Sequence, residues 1–166
     1  MVASAEFPKA NETYVARFGD KSSLTLPPIK KLLIVTCMDA RIDPAASLGL
    51  KEGDAHVVRN AGGIAVDALR SIVVSQRLLG TREIALFHHT DCGMLTFSTP
   101  QLREIVKSEA PGDKEVAQAV DQIDFHEFGI VEEAVKKDVE WLKAQPLLLK
   151  ETIITVKSAG LTQLPG

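Results

Sequence analysis

The stretch that most constrains the fold is an apolar run, Leu32-Leu33-Ile34-Val35, which continues through Thr36 and breaks at Cys37-Met38-Asp39-Ala40-Arg41. Consecutive apolar and β-branched residues without polar alternation read as a strand covered on both faces, as inside a parallel sheet. Ligands of open α/β sheets sit outside the carboxyl ends of the strands, so Cys37, Asp39 and Arg41 stand where chemistry is expected. A second run, residues 83–87, ends in the same way, in His88-His89-Thr90-Asp91-Cys92-Gly93. Two strand ends thus bring two thiols, two imidazoles and two carboxylates to one rim.

Between and beyond these runs, strand and helix patterns alternate. Pro27-Pro28 breaks any helix and introduces a first strand over 31–36. A short helix follows over 43–49, with Pro44 suited to its first turn. A second strand over 55–58 leads into Arg59-Asn60-Ala61-Gly62-Gly63. The clearest helix runs over 66–79, with Gly80 as its stop. A third strand over 83–88, helices near 100–108 and 130–144 with an acidic helical stretch between them, and a fourth strand over 152–156 complete the pattern. This predicts an α/β fold: a mostly parallel four-stranded sheet flanked by helices, preceded by an N-terminal helical arm. Residues 1–166 read as one domain. The arm, residues 1–23, carries a short helical pattern over 12–18 with Tyr14, Val15 and Phe18 on one side, too little to be stable alone.

Composition narrows the function. A net charge of -3 and a pI near 5.8, with no basic run, argue against nucleic acid or anionic lipid as partners. No apolar stretch reaches the ~18–20 residues that span a bilayer, so the reading is of a cytoplasmic protein without a membrane partner. The only two cysteines, Cys37 and Cys92, both lie in the chemically loaded strand ends. A reducing compartment disfavours a disulfide between them, and the flanking His and Asp favour a metal.

Zinc takes thiolate and imidazole in a tetrahedral site. His89-x-x-Cys92 offers two ligands within one turn, Cys37 arrives from a neighbouring strand, and Asp39 is close enough to supply a fourth. Two cysteines cannot close a structural site of three or four thiolates. The fourth position is therefore open to water, a substrate oxygen or a displaceable carboxylate, which is a catalytic arrangement. Arg41, two residues from Asp39, can hold that carboxylate through a charge-assisted fork and so decide whether it sits on or off the metal.

The combination Cys37-x-Asp39-x-Arg41, Arg59-Asn60-Ala61-Gly62 and His89-x-x-Cys92 resembles the β-class carbonic anhydrases, and the run from Ser75 to Met94 resembles their short bacterial and fungal members. The resemblance implies one zinc per chain bound by Cys37, His89 and Cys92, with Asp39 as a displaceable ligand. It implies reversible hydration of CO2 to bicarbonate and a proton through zinc-bound hydroxide, the Asp39-Arg41 dyad gating the fourth position. It also implies a homodimer or a higher oligomer of dimers, the arm lying on the partner subunit, and an apolar approach to the site near Phe125 and Phe128. Gly62 and Gly63 are candidate substrate-binding positions, although tight turns are the commoner use of such a pair. Two alternatives stand beside this: hydrolysis of carbon disulfide or carbonyl sulfide on the same scaffold, and a zinc-binding oligomer with little or no turnover.

The remaining polar residues carry plainer expectations. By strand alternation His88 faces away from His89 and has a packing role. His56 is expected to be structural, His126 to be solvated with a proton-shuttle role as the alternative, and Asp91 to cap the turn that follows it or else to hold hydrogen bonds that support the metal ligands. Glu132, Glu133, Lys136, Lys137 and Asp138 are expected to form one solvated helix face, with Trp141 in the packing.

Overall fold

The computed structural model describes residues 2–159. Four strands, β1 (Leu32–Cys37), β2 (Ala55–Asn60), β3 (Glu83–His89) and β4 (Ile153–Ala159), form an entirely parallel sheet in the order β2-β1-β3-β4. β1 is central and buried from Leu33 to Cys37, as its unbroken apolar run requires. Because β2 pairs with one side of β1 and β3 with the other, the chain reverses its direction of travel across the sheet here. This switch point opens a crevice at the carboxyl ends of β1 and β3.

Among the described residues, α1 (Phe7–Ala16) precedes the sheet and five α-helices lie between its strands: α2 (Pro44–Leu48), α3 (Ala65–Leu79), α4 (Thr99–Glu109), α5 (Lys114–Asp121) and α6 (Val131–Ala144). Their boundaries follow local chemistry. Asp43 and Asp113 accept hydrogen bonds from the first backbone N–H groups of α2 and α5, Ser98 and Gln101 form a capping box on α4, and Gly80 ends α3 in the left-handed region.

The two faces of the sheet bury different sets of residues. Leu33, Val35, Ile84 and Leu86 point towards α3 and α6 and pack against Ala68, Ile72 and Leu142. Ile34 and Phe87 point the other way, into a cluster with Ile42, Met94, Cys37 and Cys92. Ile72 is fully buried at the centre of the first cluster. Its replacement by alanine is expected to cost about 2–5 kcal/mol, read as a fall in the urea midpoint without a change of slope.

Three expectations need correction. β2 and β3 run one or two residues longer than their apolar stretches, because the parallel ladder continues to Asn60 and His89. The arm helix begins earlier, at Phe7, with Pro8 in its first turn, and stops at Ala16 before Gly19 adopts φ +54°. Asp138 is buried, not part of the solvated face. Of the five charged residues, Glu132, Glu133, Lys136 and Lys137 are exposed, and Asp138 lies on the stripe of Val131, Ala134, Val135 and Leu142 that faces the sheet.

Candidate metal centre

Cys37 is the last residue of β1 and His89 the last of the neighbouring β3. After His89 the chain turns through Asp91, at φ +55°, which brings Cys92 back under the strand ends. All three side chains are buried, and one ligand atom from each lies within 4.8 Å of the others. The two sulfur atoms are 3.9 Å apart and both cysteines are free thiols.

The donor set fits a divalent cation. His89 Nδ1 lies 2.8 Å from the Thr90 carbonyl, which can only accept, so the ring proton belongs on Nδ1. This leaves the Nε2 lone pair facing the sulfurs, buried and without a hydrogen-bond partner among the described residues. An orphaned imidazole nitrogen beside two buried sulfurs is costly unless something electropositive sits between them. Burial, reinforced by the neighbouring Cys37, pushes the Cys92 thiol up to about 11. A cation reverses that preference by holding the thiolate directly.

Asp39 stands beside this trio and is engaged elsewhere. Arg41 donates from Nε to Asp39 Oδ1 (3.0 Å) and from Nη2 to Oδ2 (2.7 Å), while its backbone N–H adds a third bond to Oδ1 (2.9 Å). These contacts hold the Asp39 carboxyl well below the usual carboxylate range. Asp39 Oδ2 is still only 3.8 Å from His89 Nε2. Of the four candidate ligands, the structure gathers Cys37, His89 and Cys92, with Asp39 at their edge in the grip of Arg41.

Two further residues complete the frame. Asp91 does not cap the following turn: its Oδ2 accepts from Arg41 Nη1 at 2.7 Å, and its carbonyl accepts from Nη2 at 2.9 Å. Arg59 donates to the carbonyls of Cys37 (3.0 Å) and Asp39 (2.6 Å), tying down the loop that carries the dyad. The register Thr36↔Arg59 could have indicated this, since it sets Arg59 beside the end of β1.

The glycines act through shape. Gly63, at φ +74°, lies so close to β1 that a Cβ there would come within 2.9 Å of the Thr36 carbonyl carbon. Gly62 makes room for Met94 and Phe128. Phe128 packs against the cluster holding Cys37 and Cys92, whereas Phe125 is half-buried and, among the described residues, is not part of that packing. His88 faces the opposite side of the sheet, as alternation requires, and His56 is bonded to Ser75 Oγ at 2.8 Å. His126 is only partly exposed and lies between Asp124 and Asp67, 3.4 and 3.9 Å away.

A family model described as carbonic anhydrase matches residues 32–157. Beta-carbonic anhydrase 1 of Mycobacterium tuberculosis is 49% identical over 110 residues, which are 66% of this chain and 66%, just under two thirds, of that relative. A carbon disulfide hydrolase of an Acidianus species is 35% identical over 148 residues, covering 78% of this chain and 72% of its own. Among solved structures, a carbonic anhydrase from Glaciozyma antarctica superposes with a TM-score of 0.89 at 54% identity, over 96% of this chain and 94% of that one.

Proposed function

The chain belongs to the β-class carbonic anhydrases, and on that premise we propose that it catalyses the reversible hydration of CO2 to bicarbonate and a proton at one zinc ion held by Cys37, His89 and Cys92. The observation that carries this reading is the orphaned His89 Nε2 facing two free buried thiols, with Asp39 drawn aside by Arg41. Zinc in such a site supplies Lewis acidity, which lowers the pKa of water from about 15.7 to about 7.

The protein's own groups then divide the work. Asp39, ionised throughout the neutral range, can only accept a hydrogen bond, so it orients a hydroxyl whose proton points at the carboxylate and whose lone pair points at the carbon of CO2. Arg41 keeps that carboxylate from the ligand atoms, Asp91 holds Arg41, and Arg59, donating to the carbonyls of Cys37 and Asp39, holds the loop in place. Ile42, Met94 and Phe128 give a nonpolar gas an apolar wall. Gly62 and Gly63, with Phe128 and the more distant Phe125, are the substrate-side positions in this proposal.

We also propose a homo-oligomer built on dimers through the arm, and a cytoplasmic location. No described helix is long and apolar enough to cross a membrane. Helix α1 has no buried residue, and it leaves Phe7 and Val15 more than half exposed. The arm is tied to its own domain through Glu52, which accepts from Tyr14 Oη at 2.5 Å and pairs with Lys21. Exposed aromatic and aliphatic groups on a held helix suit a second copy. Phe7→Asp with Val15→Asp is expected to halve the mass seen in sedimentation velocity, and an unchanged oligomer would remove the arm from the interface.

A second reading, hydrolysis of carbon disulfide, is favoured by the Acidianus relative. Zinc analysis followed by stopped-flow assay over about pH 6–9, around the pKa of the activated water, separates the cases. CO2 hydration rising with pH supports the first reading. Hydrogen sulfide release without CO2 hydration supports the second, and a zinc-loaded chain inert to both would be a binding protein only.

A further inference from the structure

Asp138 and His88 lie on the face of the sheet away from His89 and take no part in the chemistry proposed above. Asp138, on α6, is only 6% exposed, and a buried carboxylate is costly unless its oxygens are engaged. Its Oδ2 accepts from the Ala65 backbone N–H at 3.1 Å, supplying α3 with the N-terminal partner that Ile64 lacks. The same oxygen lies 3.3 Å from His88 Nε2, which is also 3.1 Å from the Gly63 carbonyl. The Gly63 carbonyl can only accept, so the ring proton sits on Nε2, with the Asp138 carboxylate beside it, while Nδ1 has no hydrogen-bond partner among the described residues.

Capping α3 accounts for the bond to Ala65 and not for the 3.3 Å approach to His88. That approach has a mechanical consequence. Gly63 abuts β1 so closely that a Cβ would lie 2.9 Å from the Thr36 carbonyl carbon and 3.0 Å from the Cys37 nitrogen. A turn with no slack passes any displacement on to its neighbour, because packed interiors transmit strain. His88 is covalently joined to His89 on one side and hydrogen-bonded to this turn on the other.

We infer that Asp138 is a positioning residue of the metal centre, which acts through His88 and the Gly62-Gly63 turn to set the separation between Cys37 and His89. The inference rests on the zinc reading, and its test reads geometry directly. The full-length chain is loaded with Co2+ in place of zinc, and the sulfur-to-cobalt and d–d bands are recorded together with affinity by chelator competition. Asp138→Ala is expected to shift the d–d bands and weaken binding about tenfold or more, the range seen when groups that orient metal ligands are removed. Asp138→Asn, which keeps an acceptor oxygen, is expected to restore both. Leu142→Ala, one turn further along α6 in the apolar cluster, is expected to lower stability and leave bands and affinity unchanged.

Wild-type bands and affinity in Asp138→Ala, or an equal shift in Leu142→Ala, would overturn the inference. Where Asp138→Ala does not fold, His88→Phe removes the same link while filling its volume, and unchanged bands there overturn it as well. A wild-type chain that takes up no cobalt defeats the zinc reading first and this inference with it.

Discussion

Replacing Cys92 with serine is expected to reduce zinc from about one per chain to near zero and to bring CO2 hydration down to the buffer rate. Serine keeps the volume and loses the soft, ionisable donor, leaving Cys37 and His89, two ligands where a tetrahedral catalytic site needs three. The cost extends to folding, because a ligand bound only by the native state stabilises it by about 4.1 kcal/mol at a thousandfold excess over Kd. Losing that in a chain of this length corresponds to a fall of roughly 8–16 °C in Tm, at about 2–4 °C per kcal/mol. Calorimetry with and without a chelator checks it: the wild type should shift and the variant should not.

The same experiment has a pH arm. The Cys92 thiol is pushed up to about 11 before any metal binds, so at neutral pH it enters the reaction protonated and must release its proton on metal uptake. Zinc affinity should therefore rise with pH, and calorimetric heats should depend on the ionisation enthalpy of the buffer. Stoichiometric zinc in Cys92→Ser would remove Cys92 from the ligand set.

What could be read without coordinates was whatever short-range pattern expresses. The run from Leu32 to Thr36 announced a doubly covered strand because no polar residue interrupts it, and alternation alone sent His88 and His89 to opposite faces. The thiols and the imidazole could be paired because Cys37 and His89 end neighbouring strands and Cys92 follows His89 within one turn. Contacts that depend on residues far apart in the chain were illegible. Asp91 has local capping chemistry, yet its partner is Arg41, fifty positions away, and nothing in the turn itself indicates that. Asp138 is the more instructive case. Its spacing from Val131, Ala134, Val135 and Leu142 places it on the buried stripe, but its charge argues for the exterior, and nothing local to α6 decides between the two. The compensation came from His88 and Ala65, which only the fold brings near.

Replacing Arg41 with alanine is expected to lower CO2 hydration at neutral pH by about 10²–10³-fold, the range for losing one preorganised group that acts on the reacting atoms. Three effects combine. Asp39 loses all three side-chain bonds to the guanidinium and keeps only the backbone N–H. Its Oδ2, already 3.8 Å from His89 Nε2, becomes free to swing among the ligand atoms and occupy the position the substrate oxygen needs. The contacts of Arg41 to Asp91 also disappear, loosening the turn before Cys92. Arg41→Lys should rescue little, since a point charge on a flexible stem cannot reproduce the fork.

Stability and activity should respond to pH in different windows. The folded-state pKa of Asp39 is depressed by Arg41, so the pair's contribution to stability is fully present above the unfolded value of about 3.9 and is lost as pH falls through the lower folded one. Urea midpoints of the wild type and Arg41→Ala should differ at neutral pH and converge below about pH 4. Between about pH 6 and 9 Asp39 does not titrate, so any rise of the wild-type rate there belongs to the activated water. A variant with wild-type turnover at neutral pH would mean that the Asp39 carboxylate stays in place without Arg41, leaving the guanidinium as a loop brace and the gate without its latch.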